Sequence, residues 1–215
     1  MSKVNTLDYE RVGRENLERT LNRKKFYKIL KDGLKSHDKG SVIVVETPVG
    51  NYLDANIYSV KSMIDSNYKG VYLSFQRPYK NISSHFEKNK VNLENLFVFD
   101  CASVFCDSIK ENNPHCVNLS SDFKIEELVE KICLTIKNLD SDNRFIFVDS
   151  LSTLAIHKSF SETLKFSEFL INTVKRKGIK NVTFIFNIAK ELGSKRYNEN
   201  INLYADEHIH LGLCT

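Results

Sequence analysis

The chain has 215 residues and a mass of 24.8 kDa, and it is 41% hydrophobic and 27% charged, which suits one packed domain and excludes wholesale disorder. No apolar run approaches the roughly 20 residues that span a bilayer. The first twenty residues hold no apolar leader, and the five cysteines (Cys101, Cys106, Cys116, Cys133, Cys214) read as reduced thiols, so a cytoplasmic protein is expected. The net charge is +4, and residues 1–40 carry eleven Lys/Arg against six acids, so the positive excess lies at the N-terminal end.

The first 37 residues predict helix, with Phe26, Ile29, Leu30 and Leu34 at helical spacing before Gly40 closes a polar turn. Residues 1–39 therefore read as a basic helical extension. Its cations, Arg23, Lys24 and Lys25 among them, suit nucleic acid, an anionic surface or an acidic partner. The bland alternative is a solvated helix face, because acids are interleaved with the bases.

From residue 40 to 215 the pattern changes. Short apolar runs at Val42–Val45, Val71–Phe75, Leu96–Phe99, Phe145–Val148, Val182–Phe186 and His208–Leu211 predict strands buried on both faces. Between them lie amphipathic helices carrying Leu53, Ile57, Val60 and Ile64, then Ile125, Leu128, Val129, Ile132 and Ile136, then Phe166, Phe169, Leu170 and Val174. Such alternation predicts an α/β domain of three layers, with a mostly parallel sheet between helices. Ligands in such sheets bind beyond the carboxyl ends of the strands.

The first strand end reads Glu46-Thr47-Pro48-Val49-Gly50-Asn51-Tyr52, where a phosphate loop would stand. A phosphate loop needs glycines to bring backbone N–H groups close, a lysine for the terminal phosphate and a Ser/Thr hydroxyl for Mg²⁺. Gly50 stands at the second glycine, but Asn51 occupies the lysine position and Tyr52 the hydroxyl position. A carboxylate at Glu46 would work against any anion at the helix start. The second strand ends in Gln76 and Arg77, where a hydrolytic site would want a carboxylate to activate water. The third ends in Asp100-Cys101. The fourth, Arg144-Phe145-Ile146-Phe147-Val148-Asp149-Ser150, has the form of a Walker B strand, whose acid holds Mg²⁺ through water.

The order of these pieces (Val42–Tyr52, VYLSFQRP at Val71–Pro78, FVFD at Phe97–Asp100, FIFVDSLSTL at Phe145–Leu154, NVTFIFN at Asn181–Asn187, YADEHIHL at Tyr204–Leu211) resembles the KaiC-like branch of the RecA superfamily. The resemblance implies a RecA-like P-loop NTPase fold over residues 40–215. It places the remnants of a nucleotide site at Gly50, Asn51, Tyr52, Gln76, Asp149 and Ser150. The family's Walker A lysine and threonine fall on Asn51 and Tyr52, and its paired glutamates fall on Gln76 and Arg77. Phosphoryl transfer is almost wholly positioning and charge stabilisation, so these losses remove most of its means. The resemblance therefore implies a pseudo-ATPase of regulation or signalling, with no catalytic residue and no cofactor beyond weak ATP/Mg binding. It would act through a protein partner or self-association. Two alternatives stand beside it. One is a nucleic-acid-binding RecA paralogue using the basic N-terminal helices and the 190–197 loop, with contacts from Lys190, Lys195, Arg196 and Tyr197. The other is an ATP-binding protein with a non-standard phosphate loop.

No metal site is expected. Cys101-x4-Cys106 matches no common zinc spacing, and His208 and His210 read as surface histidines on one face of an edge strand. A nucleophilic Ser150 lacks the glycine-flanked elbow of a hydrolase.

Overall fold

A computed structural model describes residues 24–34, 38–105, 112–119, 123–191, 200–201 and 203–212. Of the expected N-terminal helix, residues 24–34 are helical (α1), and the remainder lies outside the described residues. The chain continues as β1 (Val42–Thr47), a 3-10 turn (Val49–Asn51), α2 (Tyr52–Asp65), β2 (Lys69–Ser74), α3 (Tyr79–Lys88), β3 (Leu96–Asp100) and α4 (Ala102–Phe105). Then follow β4 (Cys116–Asn118), α5 (Ile125–Asn138), β5 (Arg144–Asp149), α6 (Leu151–His157), α7 (Phe160–Arg176), β6 (Val182–Ala189) and β7 (Glu207–His210).

Among the described residues, seven strands form one sheet in the order β4-β3-β2-β5-β6-β1-β7, and every neighbouring pair is parallel. Side chains alternate between its faces. Val42, Val44, Val71, Leu73, Ile146, Val148, Phe184 and Phe186 point to one face, under α5, α6 and α7. Ile43, Val45, Tyr72, Phe145, Phe147 and Ile185 point to the other, under α1, α2 and α3. Both faces are covered, which is why the strands read as continuous apolar runs rather than alternating ones.

α1 belongs to the second layer through Phe26, Leu30 and Leu34, which are buried in that core. Ile29, expected on the same face, is 38% exposed, because four-residue spacing from Phe26 keeps the buried stripe narrow. The short edge strand β4 has no counterpart among the predicted strands: Cys116–Asn118 holds a single strong apolar residue, too little for a pattern of period two.

β1 and β7 are joined at their start by Asp206. Its carboxylate accepts from Val42 N at 2.8 Å, and its own N–H donates to Val42 O at 2.8 Å. At the other end, Asp100 closes β3 against the start of α3. It accepts from Tyr79 N at 2.9 Å, Ser103 N at 2.8 Å and Ser103 Oγ at 2.6 Å. Asp100 is buried and its carboxylate is spent on these caps, so it is a structural acid.

Candidate functional site

The passage from β1 into α2 determines what the carboxyl edge of the sheet can hold. β1 runs through Thr47, one proline follows, and the helical turn begins at Val49. Pro48 leads straight into the turn, with Asn51 N donating to Pro48 O at 2.9 Å. No stretch of free backbone is left to wrap a phosphate. Gly50 is exposed, has no positive φ, and a Cβ built on it meets nothing within 4 Å. Nothing here requires glycine. Gly50→Ala is expected to change stability by less than about 1 kcal/mol, with the helical gain of alanine on its side. A urea midpoint that falls by more than this would show that the glycine serves a backbone approach.

The first N–H of this turn is already engaged. Val49 N donates to Glu191 Oε2 at 3.0 Å. Glu191 is brought there because β6 continues beside β1, with Lys190 N donating to Thr47 O at 3.0 Å. A helix N-terminus carries partial positive charge and favours an anion, and here the chain supplies its own carboxylate. Glu46, the acid that the sequence sets against an anion here, belongs instead to the β7 edge, where Glu46 Oε2 lies 2.6 Å from His210 Nδ1.

Asn51 is half-buried and makes no side-chain cap for α2. Tyr52 is buried, and its phenol stands near enough to Tyr72 to disfavour ionisation there. Gln76 is exposed and accepts from its neighbour Arg77. Ser150 caps α6: its Oγ accepts from Thr153 N at 3.1 Å and lies 3.0 Å from Thr153 Oγ1.

Asp149 is fully buried at the end of β5. The Tyr72 hydroxyl donates to its Oδ2. Tyr72 reaches it because β2 and β5 are adjacent: Tyr72 pairs with Phe147 and Ser74 with Asp149, so Tyr72 and Asp149 share a face. The Tyr72 ring stacks on Phe147 at 5.3 Å and meets the edge of Phe86 at 5.2 Å. Beside this pair, Asn187 of β6 donates to Asn56 Oδ1 of α2. Asn56 stands near enough to Asp149 to favour its charged form, yet Asn56 Nδ2 and Asp149 Oδ1 each lack a well-formed hydrogen bond. Asn187 Oδ1 and Thr47 Oγ1 are also buried without a partner.

Burial pushes the Asp149 carboxyl up to about 6, against the opposing pull of Tyr72, Asn56 and Arg77. The Tyr72 phenol is driven well above its ordinary range by burial, then by the Asp149 charge. The carboxyl still ionises below neutral pH, but burial makes its charge costly.

The structure thus gathers Asp149 with Tyr72, Asn56 and Asn187, three residues the sequence did not single out. Their shared signal is a polar group inside an apolar frame: Tyr72 within a buried strand, Asn187 ending another, and Asn56 one turn after Tyr52 on the buried side of α2. Glu191 carries no such signal, since it lies in a polar stretch.

Lys190, Lys24 and Lys25 are exposed. Lys195, Arg196, Tyr197 and Arg23 lie outside the described residues, so the expected 190–197 contact loop is described only at its start. Among the described residues, no group of three or more His, Cys, Asp or Glu side chains is placed to hold a metal. The His208 and His210 rings stack at 6.0 Å, and His208 is lowered by burial and then by His210. Cys101 is buried and its thiol is pushed well up by burial, then by Asp100, so it is inert. No helix among the described residues is long and apolar enough to cross a membrane.

No family model matches the chain, and no curated protein does. Solved structures do. A protein of Pyrococcus horikoshii, PH0321, solved in complex with an unknown peptide, aligns at a TM-score of 0.62 and 17% identity over 80% of this chain and 77% of that one. The KaiC-like protein PH0186 of Pyrococcus horikoshii OT3 aligns at a TM-score of 0.50 and 14% identity over 82% of this chain and 74% of that one. With the all-parallel sheet between two helical layers, these likenesses show a RecA-like α/β fold.

Proposed function

We propose that this chain is a RecA-fold protein that has given up nucleotide turnover and acts by contact with another protein, in regulation or signalling. The observation that carries the reading is the β1–α2 junction. Helix begins two residues after the strand, and a carboxylate of the chain's own, Glu191, holds the N–H that a phosphate would need. The rest of the site agrees with it. Asn51 cannot supply the ammonium charge, and the Tyr52 ring takes up buried volume where a small hydroxyl would be needed. Asp149, the one acid left at the position that would carry Mg²⁺, is tied to Tyr72 and shielded from solvent. These residues do not fit a magnesium–triphosphate group. The unknown peptide in complex with PH0321 supports a protein or peptide as the class of partner for this fold.

Calorimetry with Mg-ATP and Mg-GTP tests the reading, together with phosphate release by material purified over two orthogonal columns. The expected result is affinity weaker than about 1 mM and no release above a heat-treated blank. Glu191→Ala is expected to leave turnover absent, because freeing one N–H restores neither the lysine nor the base. Turnover that co-purifies with the chain and falls on Asp149→Ala would defeat the proposal in favour of a working site with an unfamiliar phosphate loop.

A further inference from the structure

We infer that the outer face of α1 and its neighbours is a phosphate-backbone surface, fitted to nucleic acid without regard to base sequence. It is independent of the nucleotide reading and lies away from the carboxyl edge. On α1, Phe26, Leu30 and Leu34 are buried, which leaves Lys24 and Lys28 exposed and Lys31 half-buried at i, i+4 and i+7, with the exposed Asp32 the one acid on the described helix. Seven residues of helix make a stripe about 10 Å long, matching about three phosphates of one strand at roughly 3.4 Å each.

The stripe continues onto α2 and the end of α3 through a chain of contacts. Lys31 Nζ lies 5.6 Å from the centre of the Tyr27 ring. The Tyr27 hydroxyl donates to Asp65 Oδ2 at 3.0 Å, and Lys61 Nζ lies 3.4 Å from the same carboxylate. Lys61 Nζ also donates to Lys90 O at 3.2 Å. Asp65 thus neutralises Lys61 and orders Tyr27, whereas Lys24, Lys25 and Lys28 make no ion pair among the described residues. Cations that make no ion pair among the described residues can release counterions from a phosphate backbone.

Charge alone would also suit an anionic membrane. A helix that lies in a bilayer needs a free apolar face, and the apolar face of α1 is consumed by the core. That favours nucleic acid. The aromatic ring on the stripe, Tyr27, is engaged with Asp65 and meets Tyr58 edge-on at 5.6 Å. Base stacking therefore has no platform among the described residues of this face, and contacts go to the backbone.

The test is fluorescence anisotropy of the full chain with a labelled 20-base-pair duplex between 20 and 200 mM KCl, with a second duplex of scrambled sequence. Three phosphate contacts predict a log–log salt slope near −3, about a 40-fold loss from 50 to 200 mM, and equal affinity for both duplexes. The triple variant Lys24→Glu, Lys28→Glu, Lys31→Glu is expected to bind at least tenfold more weakly at 50 mM KCl and to flatten the slope. A Lys→Gln triple, checked for an unchanged melting curve, guards against misfolding and is expected to show the same loss in smaller measure. Lys190→Glu is expected to bind as the parent does. Absence of binding at 20 mM KCl would overturn the inference. So would a triple variant that binds normally, or loss of binding on Lys190→Glu alone. Tighter binding to vesicles of 30% phosphatidylserine than to duplex would overturn it as well.

Discussion

Replacing Asp149 by asparagine is expected to raise stability at pH 7.5 by about 3 kcal/mol, because the buried carboxyl titrates near 6 in the folded protein and near 3.8 when exposed. A group whose folded value is raised holds its proton longer in the native state than in the unfolded chain. Below about 3.8 both states are protonated and nothing is lost. Between 3.8 and 6 the unfolded chain gives up its proton first, so stability falls as pH rises through that window. Above 6 the full cost of a buried charge is present. Asparagine removes the charge and keeps an oxygen for the Tyr72 hydroxyl. Urea midpoints at pH 4 and pH 7.5 check this. The variant should be close to the parent at pH 4 and well above it at pH 7.5. Tyr72→Phe should move the other way, by about 1–3 kcal/mol, because it strips the donor from a buried acid. An Asp149→Asn protein that is weaker at pH 7.5 would mean that the carboxylate has a cationic partner strong enough to hold it charged.

Such a gain would also bear on function. A carboxylate kept at a cost of several kcal/mol is ordinarily kept for a task. Under the proposed function the usual task has lost its other participants. Asp149 accepts from Tyr72, and the first N–H of the helical turn after β1 donates to Glu191. If the acid is a relic, asparagine should strengthen the fold and leave the proposed partner binding intact.

How far these features could be read beforehand follows from which ones are local. The central strands are legible because burial on both faces makes them continuous apolar runs, as at Val71–Phe75 and Phe145–Val148. α2, α5 and α7 are legible through their spacing. β4 is not, because an edge strand of three half-buried residues needs no pattern to pair with Val98–Asp100. The absence of a lysine at Asn51 and of an acid at Gln76 is visible in one dimension. What replaces them is not. Glu191 reaches Val49 only because β6 and β1 are neighbours, and Tyr72 reaches Asp149 only because β2 and β5 are. Both contacts are set by sheet order, which the strands taken singly do not reveal. Gly70 belongs to the same class. It resembles any glycine in a turn before a strand, and only its neighbour gives it meaning.

Gly70→Ala is expected to cost about 3 kcal/mol, at the upper end of what overpacking a core usually costs. Gly70 is the second residue of β2 and pairs with Phe145 of β5 on one side and Leu96 of β3 on the other. The Phe145 ring lies over its Cα, in the place a side chain would take. A Cβ there would meet Cδ1 and Cε1 of that ring and would come 2.6 Å from the Phe145 carbonyl oxygen. Phe145 is fully buried, so the ring has little room to yield, and the carbonyl belongs to the strand pairing and cannot yield without parting β2 from β5. That pair also carries Tyr72 and Asp149, so the strain should reach the buried acid. The two contacts can be separated. Phe145→Leu removes the ring but not the carbonyl, so in a double-mutant cycle it should recover only part of the loss from Gly70→Ala. Urea denaturation of the four proteins measures it. Full recovery in the double variant would assign the constraint to the ring alone, and a Gly70→Ala loss below about 0.5 kcal/mol would show that β2 and β5 are not held as closely as described.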